Sequence, residues 1–320
     1  MSAPARGPGP ESSPRGGGLL RRLLSLLFVA AALAFVGVAI ARNWAGLRTA
    51  RWDLDPAGLV ASTVLLVAVL AFGVGVWGRV LRHFQGGGAP FPTLFRIWFL
   101  SGIARYIPGK VWQFVAAAGL ARRAGLTPVV VLSSLVVYMG FGLLSAAVLA
   151  ALTVPLGPMG GVAVPPGWVV AGTVAAALLL VHPAVINFGL RLVPRALHES
   201  VLAWRGSWLE GVRLLVLATV YWLLYAGAFW LFVDALVDIP PASVLLLGGV
   251  NALSFVVGYL VFVVPAGLGP REGVITVALA GVVGGTGMAG VVALASRLWI
   301  VAAELIGAGI SLLLERRGAG

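Results

Sequence analysis

The chain has 320 residues, of which 60% are hydrophobic and only 10% are charged. A soluble domain carries about 25% charged residues, so this composition excludes an ordinary soluble protein and predicts a helical membrane protein with several spans. The sequence has no cysteine, which excludes disulfides, thiol catalysis and cysteine metal sites. Its net charge of +12 fits the basic loops that orient membrane proteins, so no nucleic-acid partner is expected.

The chain begins with a polar tail and continues as a series of apolar segments. Residues 1–18 are rich in proline, glycine and serine, which predicts a disordered tail. Residues 19–314 form the predicted transmembrane domain, and residues 315–320 form a short C-terminal tail. A segment needs about 20 apolar residues to cross a bilayer. Six uninterrupted segments are predicted to do so, at about 19–41, 58–80, 129–152, 168–185, 212–232 and 288–314.

Two further apolar regions are interrupted by proline and glycine. The first is broken within RYIPGKVW (Arg105–Trp112), and the second is broken within VPAGLGPREG (Val264–Gly273). Paired broken segments at corresponding positions of two halves point to a transporter's binding site, and here they are consistent with an inverted repeat. We therefore expect an all-α polytopic membrane protein with about six full spans plus two re-entrant hairpins.

The distribution of basic residues predicts the orientation. With the N-terminus in the cytoplasm and each interrupted region entering and leaving on one side, 15 of the 22 basic residues fall on the cytoplasmic side, three fall outside and four lie at membrane depth. The loops at about 154–167 and 233–241, which this arrangement places outside, contain neither lysine nor arginine. This asymmetry follows the positive-inside rule. The sequence therefore predicts a cell-membrane protein with both termini in the cytoplasm.

The first break combines two cations with a helix interruption at membrane depth. An ionised residue at the bilayer centre costs about 2.5–3.5 kcal/mol, and broken backbone is tolerated there only against protein or a water-filled cavity. Pro108 and Gly109 end one half-helix, and Lys110 stands at or near the start of the next. The free N–H groups of that helix start, together with Lys110, favour an anion such as phosphate. The alternative is that Arg105 and Lys110 snorkel to a nearby interface.

The second break repeats this arrangement. Pro265, Gly267, Gly269 and Pro270 interrupt the helix, and Pro270 suits the first position of the next one. Arg271 follows directly, so this break also points a helix N-terminus and a cation into the membrane. The predicted ligands of a lipid phosphate are Arg105, Lys110 and Arg271.

Three more charged residues accompany the breaks. Glu272 is either a first-turn residue that favours the helix dipole or an internal partner for a basic residue. Arg297 and Glu304 are seven residues apart and share one face of the last span. They either form a structural pair with Arg271 or Glu272, or they organise charge and relay protons around a substrate. The three histidines have no ligand spacing, so no metal site is expected.

Catalytic motifs are absent from the sequence. It has no HExxH, GxSxG or Walker motif and no aspartate-rich cluster for magnesium. Only two of its ten carboxylates fall at membrane depth, too few for a metal-dependent transferase. We therefore expect neither an enzyme nor a cofactor, and an ATP-driven pump is excluded for this chain alone.

Both break motifs carry a resemblance to a known family. ARYIPGKVWQF and PAGLGPREGV, in this order and at this separation, resemble the lysylphosphatidylglycerol synthase transmembrane-region family, over about residues 20–314. The resemblance implies a stand-alone, flippase-like member without the synthase domain, with two re-entrant hairpins and movement of a phospholipid or similar lipid between leaflets. The motif positions carried over are Arg105, Pro108, Gly109, Lys110, Pro265, Gly267, Gly269, Arg271 and Glu272.

The chain departs from the family pattern at three positions. Ala266 and Pro270 stand where the family often has glycine and an apolar residue. Tyr138 aligns where the family often has an acidic residue in the helix after the first hairpin. A missing carboxylate would remove a partner for a cationic headgroup or a proton, which argues against aminoacylated lipid as the substrate.

These observations support one leading hypothesis and two alternatives. The leading one is a lipid flippase or lipid transporter that moves an anionic phospholipid or polyprenyl-phosphate-type lipid, its phosphate held between the two breaks. The second is a non-transporting membrane scaffold that partners a glycosyltransferase or lipid synthase. The third is an anion channel. The cations are consistent with a channel, but polar residues are too scarce to line a full-length pore.

Overall fold

The computed structural model describes residues 54–84, 88–106, 111–154, 167–192, 202–261 and 269–318. These residues form ten α-helices and two short 3-10 turns, with no strand among them, so the predicted all-α class is confirmed. The predicted tail at 1–18 and the predicted first span at 19–41 lie outside the described residues. Five predicted site residues also lie outside them: Pro108, Gly109, Lys110, Pro265 and Gly267.

The helices are numbered here in chain order. They are α1 (Pro56–Arg82), α2 (Phe91–Ile103), α3 (Trp112–Arg123), α4 (Pro128–Thr153), α5 (Gly167–Leu180), α6 (Pro183–Arg191), α7 (Trp208–Asp234), α8 (Val244–Leu260), α9 (Pro270–Leu279) and α10 (Thr286–Gly318). The 3-10 turns are Ala104–Tyr106, which follows α2, and Pro241–Ser243, which precedes α8.

Five of these helices are long and apolar enough to cross a membrane. Four of them, α1, α4, α7 and α10, coincide with predicted spans. The fifth, Pro241–Leu260, combines a 3-10 turn with α8 and lies in the second interrupted region. At 1.5 Å per residue its 20 residues extend about 30 Å, so this helix is long enough to cross the membrane, although the sequence predicted a re-entrant hairpin for the whole region. The chain is an all-α, multi-pass membrane protein.

The segment predicted as one span at 168–185 is bent. α5 and α6 meet at an angle of 69°. Pro183 disfavours helical backbone at His182, which is extended with ψ 135°, and Pro183 then begins α6. The His182 side chain accepts a hydrogen bond from the Ala184 N–H at 3.2 Å and so caps the new helix. Continuous hydropathy therefore concealed a break that the His-Pro pair creates.

The core lies among α1, α4, α7 and α8, which pack together. Trp77 on α1 and Phe229 on α7 are fully buried there. The Trp77 indole N–H donates to the Ser134 hydroxyl at 3.0 Å, which satisfies a buried donor between α1 and α4. α10 lies against α1, against α2, which precedes the first break, and against α9, which follows the second break.

Small residues set how closely some helices approach. A Cβ placed on Gly248 of α8 would lie 2.3 Å from the Ala226 Cβ of α7. A Cβ on Gly307 of α10 would lie 2.0 Å from the Phe99 ring of α2. Packing of this kind is the main source of helix association in lipid, where apolar side chains gain little by leaving the bilayer.

Candidate functional site

The first break lies between two short helices. α2 has 13 residues and α3 has 12, so each is only about 20 Å long, shorter than the hydrocarbon core. The two helices pack against each other, as a re-entrant hairpin requires. α2 ends in the 3-10 turn that contains Arg105 and Tyr106, and these residues form the described edge of the break.

Arg105 and Tyr106 both bind Glu304 of α10. The Arg105 guanidinium lies 3.1 Å from Glu304 Oε1, and the Tyr106 hydroxyl donates to Glu304 Oε2 at 2.8 Å. Arg105 Nε also donates to the Gly102 carbonyl at 3.0 Å. The Glu304 side chain is only 7% exposed, whereas that of Arg105 is 37% exposed. Both carboxylate oxygens are therefore occupied, and the first break is fixed to α10.

The second break begins its return helix with a cap built by Glu272. Gly269 has φ +92°, a conformation that side chains disfavour, and Pro270 is the first residue of α9. Glu272 Oε2 accepts from the Gly269 N–H at 2.7 Å. Its other oxygen, Oε1, forms an ion pair with Arg297 of α10. Glu272 thus performs both roles considered from the sequence, as a first-turn residue and as an internal partner.

α10 joins the two breaks through ion pairs of opposite polarity. At the first break the hairpin supplies the cation, Arg105, and α10 supplies the anion, Glu304. At the second the hairpin supplies the anion, Glu272, and α10 supplies the cation, Arg297. The seven residues from Arg297 to Glu304 correspond to about 10 Å along the helix. The described edges of both breaks are therefore bound to one face of α10, two turns apart.

Arg271 differs from Arg105 and Arg297 because its partners among the described residues are neutral. Its Nη2 donates to Asn251 Oδ1 of α8 at 3.1 Å, and the guanidinium lies close to the Tyr225 side chain of α7. Arg271 Nε is buried and has no hydrogen-bond partner among the described residues. The same holds for the indole N–H of Trp299, whose ring centroid lies 6.0 Å from that of Tyr225. Two buried donors beside one tyrosine thus lack an acceptor within the part of the chain that the structure describes.

The charges of the described part of the site do not cancel. Glu304 neutralises Arg105 and Glu272 neutralises Arg297, which leaves the positive charge of Arg271 without a carboxylate among the described residues. A buried charge is normally paired, and a buried donor left without an acceptor costs about 1–3 kcal/mol. The arrangement therefore favours an acceptor-rich anion beside Arg271.

Three polar residues of the site were not identified from the sequence: Tyr106, Asn251 and Tyr225. Asn251 could have been identified from the sequence, because it is the only amide in the apolar run VLLLGGVNALSFVVGYL. In the structure it is only 2% exposed. Tyr106 adjoins Arg105 within the first motif. Tyr225 is one of several aromatic residues in its span, so nothing in the sequence distinguished it as a site residue. Tyr138 packs edge-on against Trp98, with ring centroids 5.2 Å apart.

The described residues contain no group of three or more histidine, cysteine, aspartate or glutamate side chains that could hold a metal ion.

No protein-family model matches the chain, and neither the curated proteins nor the solved structures contain a match. The resemblance to the lysylphosphatidylglycerol synthase transmembrane region therefore stays a prediction based on the two break motifs.

Proposed function

We propose that this protein is a lipid transporter of the cell membrane, which moves an anionic lipid between leaflets and has both termini in the cytoplasm. The proposal depends chiefly on the surroundings of Arg271. This cation lies inside the helix bundle, its partners among the described residues are neutral, and its buried Nε–H has no acceptor among them. Ionisable residues within membrane spans normally mark a substrate or ion pathway. A lipid phosphate supplies both the negative charge and the acceptor oxygens.

The phosphate would be held chiefly by the second break. A guanidinium can bind two phosphate oxygens side by side, and the N-terminus of α9 adds backbone N–H groups to the same region. The Asn251 amide and the Tyr225 hydroxyl orient Arg271 without neutralising it. Lys110 would supply a second cation from the first break. Arg105 acts mainly as a positioning residue in this scheme, because Glu304 already neutralises its charge.

The pairing of the carboxylates favours a lipid whose phosphate carries no ammonium group. Glu272 and Glu304 are both engaged by arginine, so neither offers a free carboxylate to an ammonium group. A lipid whose headgroup carries an amine would bring a second positive charge to a site that already has a surplus one. We therefore propose a phosphate lipid with a glycerol or sugar headgroup, either of the phosphatidylglycerol type or on a polyprenyl carrier.

Leaflet exchange in proteoliposomes tests this function. Phosphatidylglycerol labelled on an acyl chain keeps its natural headgroup, and dithionite quenches only the label in the outer leaflet. The wild type should exchange the lipid faster than protein-free vesicles, and Arg271→Gln should slow the exchange at least tenfold. Arg271→Lys should retain part of the rate because it keeps the charge but loses the two-pronged geometry. Arg191→Gln, at the exposed end of α6, is the matched control and should behave as wild type.

The same assay distinguishes the competing function. If folded Arg271→Gln exchanged phosphatidylglycerol at the wild-type rate, the proposed phosphate site would be wrong. If folded wild-type protein exchanged no lipid tested, a scaffold for a glycosyltransferase or lipid synthase would become the better account. Acyl-labelled phosphatidylethanolamine should be exchanged more slowly than phosphatidylglycerol. The reverse preference would contradict the proposal that the site disfavours lipids with an ammonium group.

A further inference from the structure

A second group of cationic residues lies where the C-terminal end of α1 meets the N-terminal end of α7, and it includes no residue of either break motif. A cavity of about 660 Å³ opens between the last turn of α1 and the first turns of α7. We call it the α1–α7 groove. Its charged lining residues are Arg79, Arg82, Glu210 and Arg213. His83 also lines it, and its apolar wall includes Val212, Val216 and Leu217. The groove therefore combines a positive end with an apolar wall.

Two arginines of the groove carry charge that no described carboxylate neutralises. Arg213 forms an ion pair with Glu210, and His83 Nε2 lies 3.9 Å from the same carboxylate. Arg79 and Arg82 are exposed and have no acidic partner among the described residues. Burial lowers the pKa of His83, against the opposing effect of Glu210, so the imidazole adds little charge near pH 7. The groove thus has a net positive charge supplied by Arg79 and Arg82.

The rim of the groove is held in place by its neighbours. The imidazole of His83 packs against the Trp204 ring, with centroids 4.7 Å apart. The His83 carbonyl accepts from the Arg205 N–H at 3.0 Å. Asn187 of α6 fixes Trp204 with two hydrogen bonds, one to its N–H at 2.8 Å and one to its carbonyl at 3.2 Å. The end of α1 that carries the arginines is therefore anchored before any ligand binds.

An exposed apolar track continues from the groove along α7. Val216, Val220 and Leu223 are spaced as i, i+4 and i+7, so they lie on one side of the helix, and they are 56%, 36% and 43% exposed. From Arg213 to Leu223 the helix rises about 15 Å, half the thickness of the hydrocarbon core. This length matches one leaflet, which is the reach of an acyl chain from its headgroup.

A smaller hollow shares the two unneutralised arginines. It has a volume of about 200 Å³ and lies on the side of α1 that faces the start of α2. Arg79 and Arg82 line it together with Gly78, Ala89 and Phe91. Arg79 and Arg82 thus line two cavities at the C-terminal end of α1, which together offer room for a headgroup with several oxygen acceptors.

We propose that the α1–α7 groove binds an anionic phospholipid of the surrounding bilayer. Its phosphate lies between Arg79 and Arg82, and one acyl chain follows Val216, Val220 and Leu223. Basic pockets between transmembrane helices recognise anionic headgroups in this way. The site uses neither break and does not depend on lipid transport, so the bound lipid is a resident of the groove and not the cargo.

Native mass spectrometry of the detergent-solubilised protein tests this site. Phosphatidylglycerol and phosphatidylcholine with matched acyl chains are titrated in turn, and the retained lipid is counted. The wild type should retain phosphatidylglycerol preferentially, and Arg79→Gln/Arg82→Gln should weaken that retention at least tenfold. Arg122→Gln/Arg123→Gln is the matched control, because it removes two exposed arginines from the last turn of α3. The series is repeated in the Arg271→Gln background, which separates the groove from the proposed transport site.

Three results would overturn the proposal. One is equal loss of retention in the α1 and α3 double variants, which would indicate general charge attraction. Another is equal competition by soluble glycerol phosphate, which would indicate a site for a free phosphate. The third is unchanged retention in Val216→Ser/Val220→Ser, since that variant keeps both arginines and should still lose affinity for the acyl chain. This last variant also provides a test if the arginine variant does not fold.

Discussion

At the residue scale, the charges of the described residues beside the two breaks lie mostly in pairs. A charge inside a membrane bundle is costly when it is alone, and pairing offsets much of that cost. Glu272 and Arg297 form the more deeply buried pair, with side chains 11% and 17% exposed. Arg271, one residue before Glu272, stands outside this scheme because its partners among the described residues are neutral. The contrast between adjacent residues is what distinguishes a structural charge from a candidate ligand.

A double-mutant cycle tests the structural role of Glu272. Glu272→Gln keeps an oxygen that can accept from the Gly269 N–H but leaves Arg297 without its carboxylate. The free energy of unfolding should fall by about 3–5 kcal/mol, because breaking a buried pair leaves an uncompensated charge. Glu272→Gln/Arg297→Met should be less destabilised than the sum of its two single variants. Chemical denaturation in mixed micelles measures the four free energies, and strict additivity would contradict the pairing.

At the element scale, α10 is the helix to which both hairpins are fixed. It binds Arg105 and Tyr106 through Glu304, and it binds the start of α9 through Arg297. Movement of either hairpin relative to α10 must break one of these ion pairs. The close approach of α2 to α10 depends on Gly307, which follows Glu304 by three residues and therefore lies on nearly the same face.

Alanine at Gly307 should disturb this attachment. The added Cβ would lie 2.0 Å from the Phe99 ring, so α2 or the ring must shift beside the Arg105–Glu304 pair. Gly307→Ala should lower the free energy of unfolding by about 1–3 kcal/mol, as overpacking commonly does. Gly309→Ala is the control on the same helix, because nothing lies within 4 Å of its added Cβ. It should be neutral or stabilising by up to about 1 kcal/mol, and equal effects at both positions would contradict the close approach.

At the scale of the whole molecule, hydropathy predicted most of the fold. The apolar runs that became α1, α4, α7 and α10 were long enough to identify without a structure. The bend at His182 was hidden because hydropathy averages over a window and does not register one proline. Hydropathy also did not show that the helix before the second break is long enough to cross the membrane, because the whole interrupted region was predicted to be a re-entrant hairpin.

The site was predictable only where its chemistry was local in sequence. Arg271 and Glu272 stood at a visible helix break, and the spacing of Arg297 and Glu304 placed them on one face of α10. Their partners could not be read from that spacing, because pairing depends on which helices pack side by side. Tyr106 lies 198 positions from Glu304, and only the packing of α2 against α10 brings them together.

Photocrosslinking tests whether a lipid phosphate binds beside Arg271. Phosphatidylglycerol that carries a photoreactive diazirine in its headgroup is irradiated with the protein in bilayers, and the labelled peptides are identified by mass spectrometry. If the phosphate binds there, the α8 and α9 segments around Asn251 and Arg271 should be labelled, unlabelled phosphatidylglycerol should compete, and Arg271→Gln should reduce the labelling severalfold. Absence of label from both segments, or labelling there that Arg271→Gln leaves unchanged, would contradict binding of the phosphate at this place.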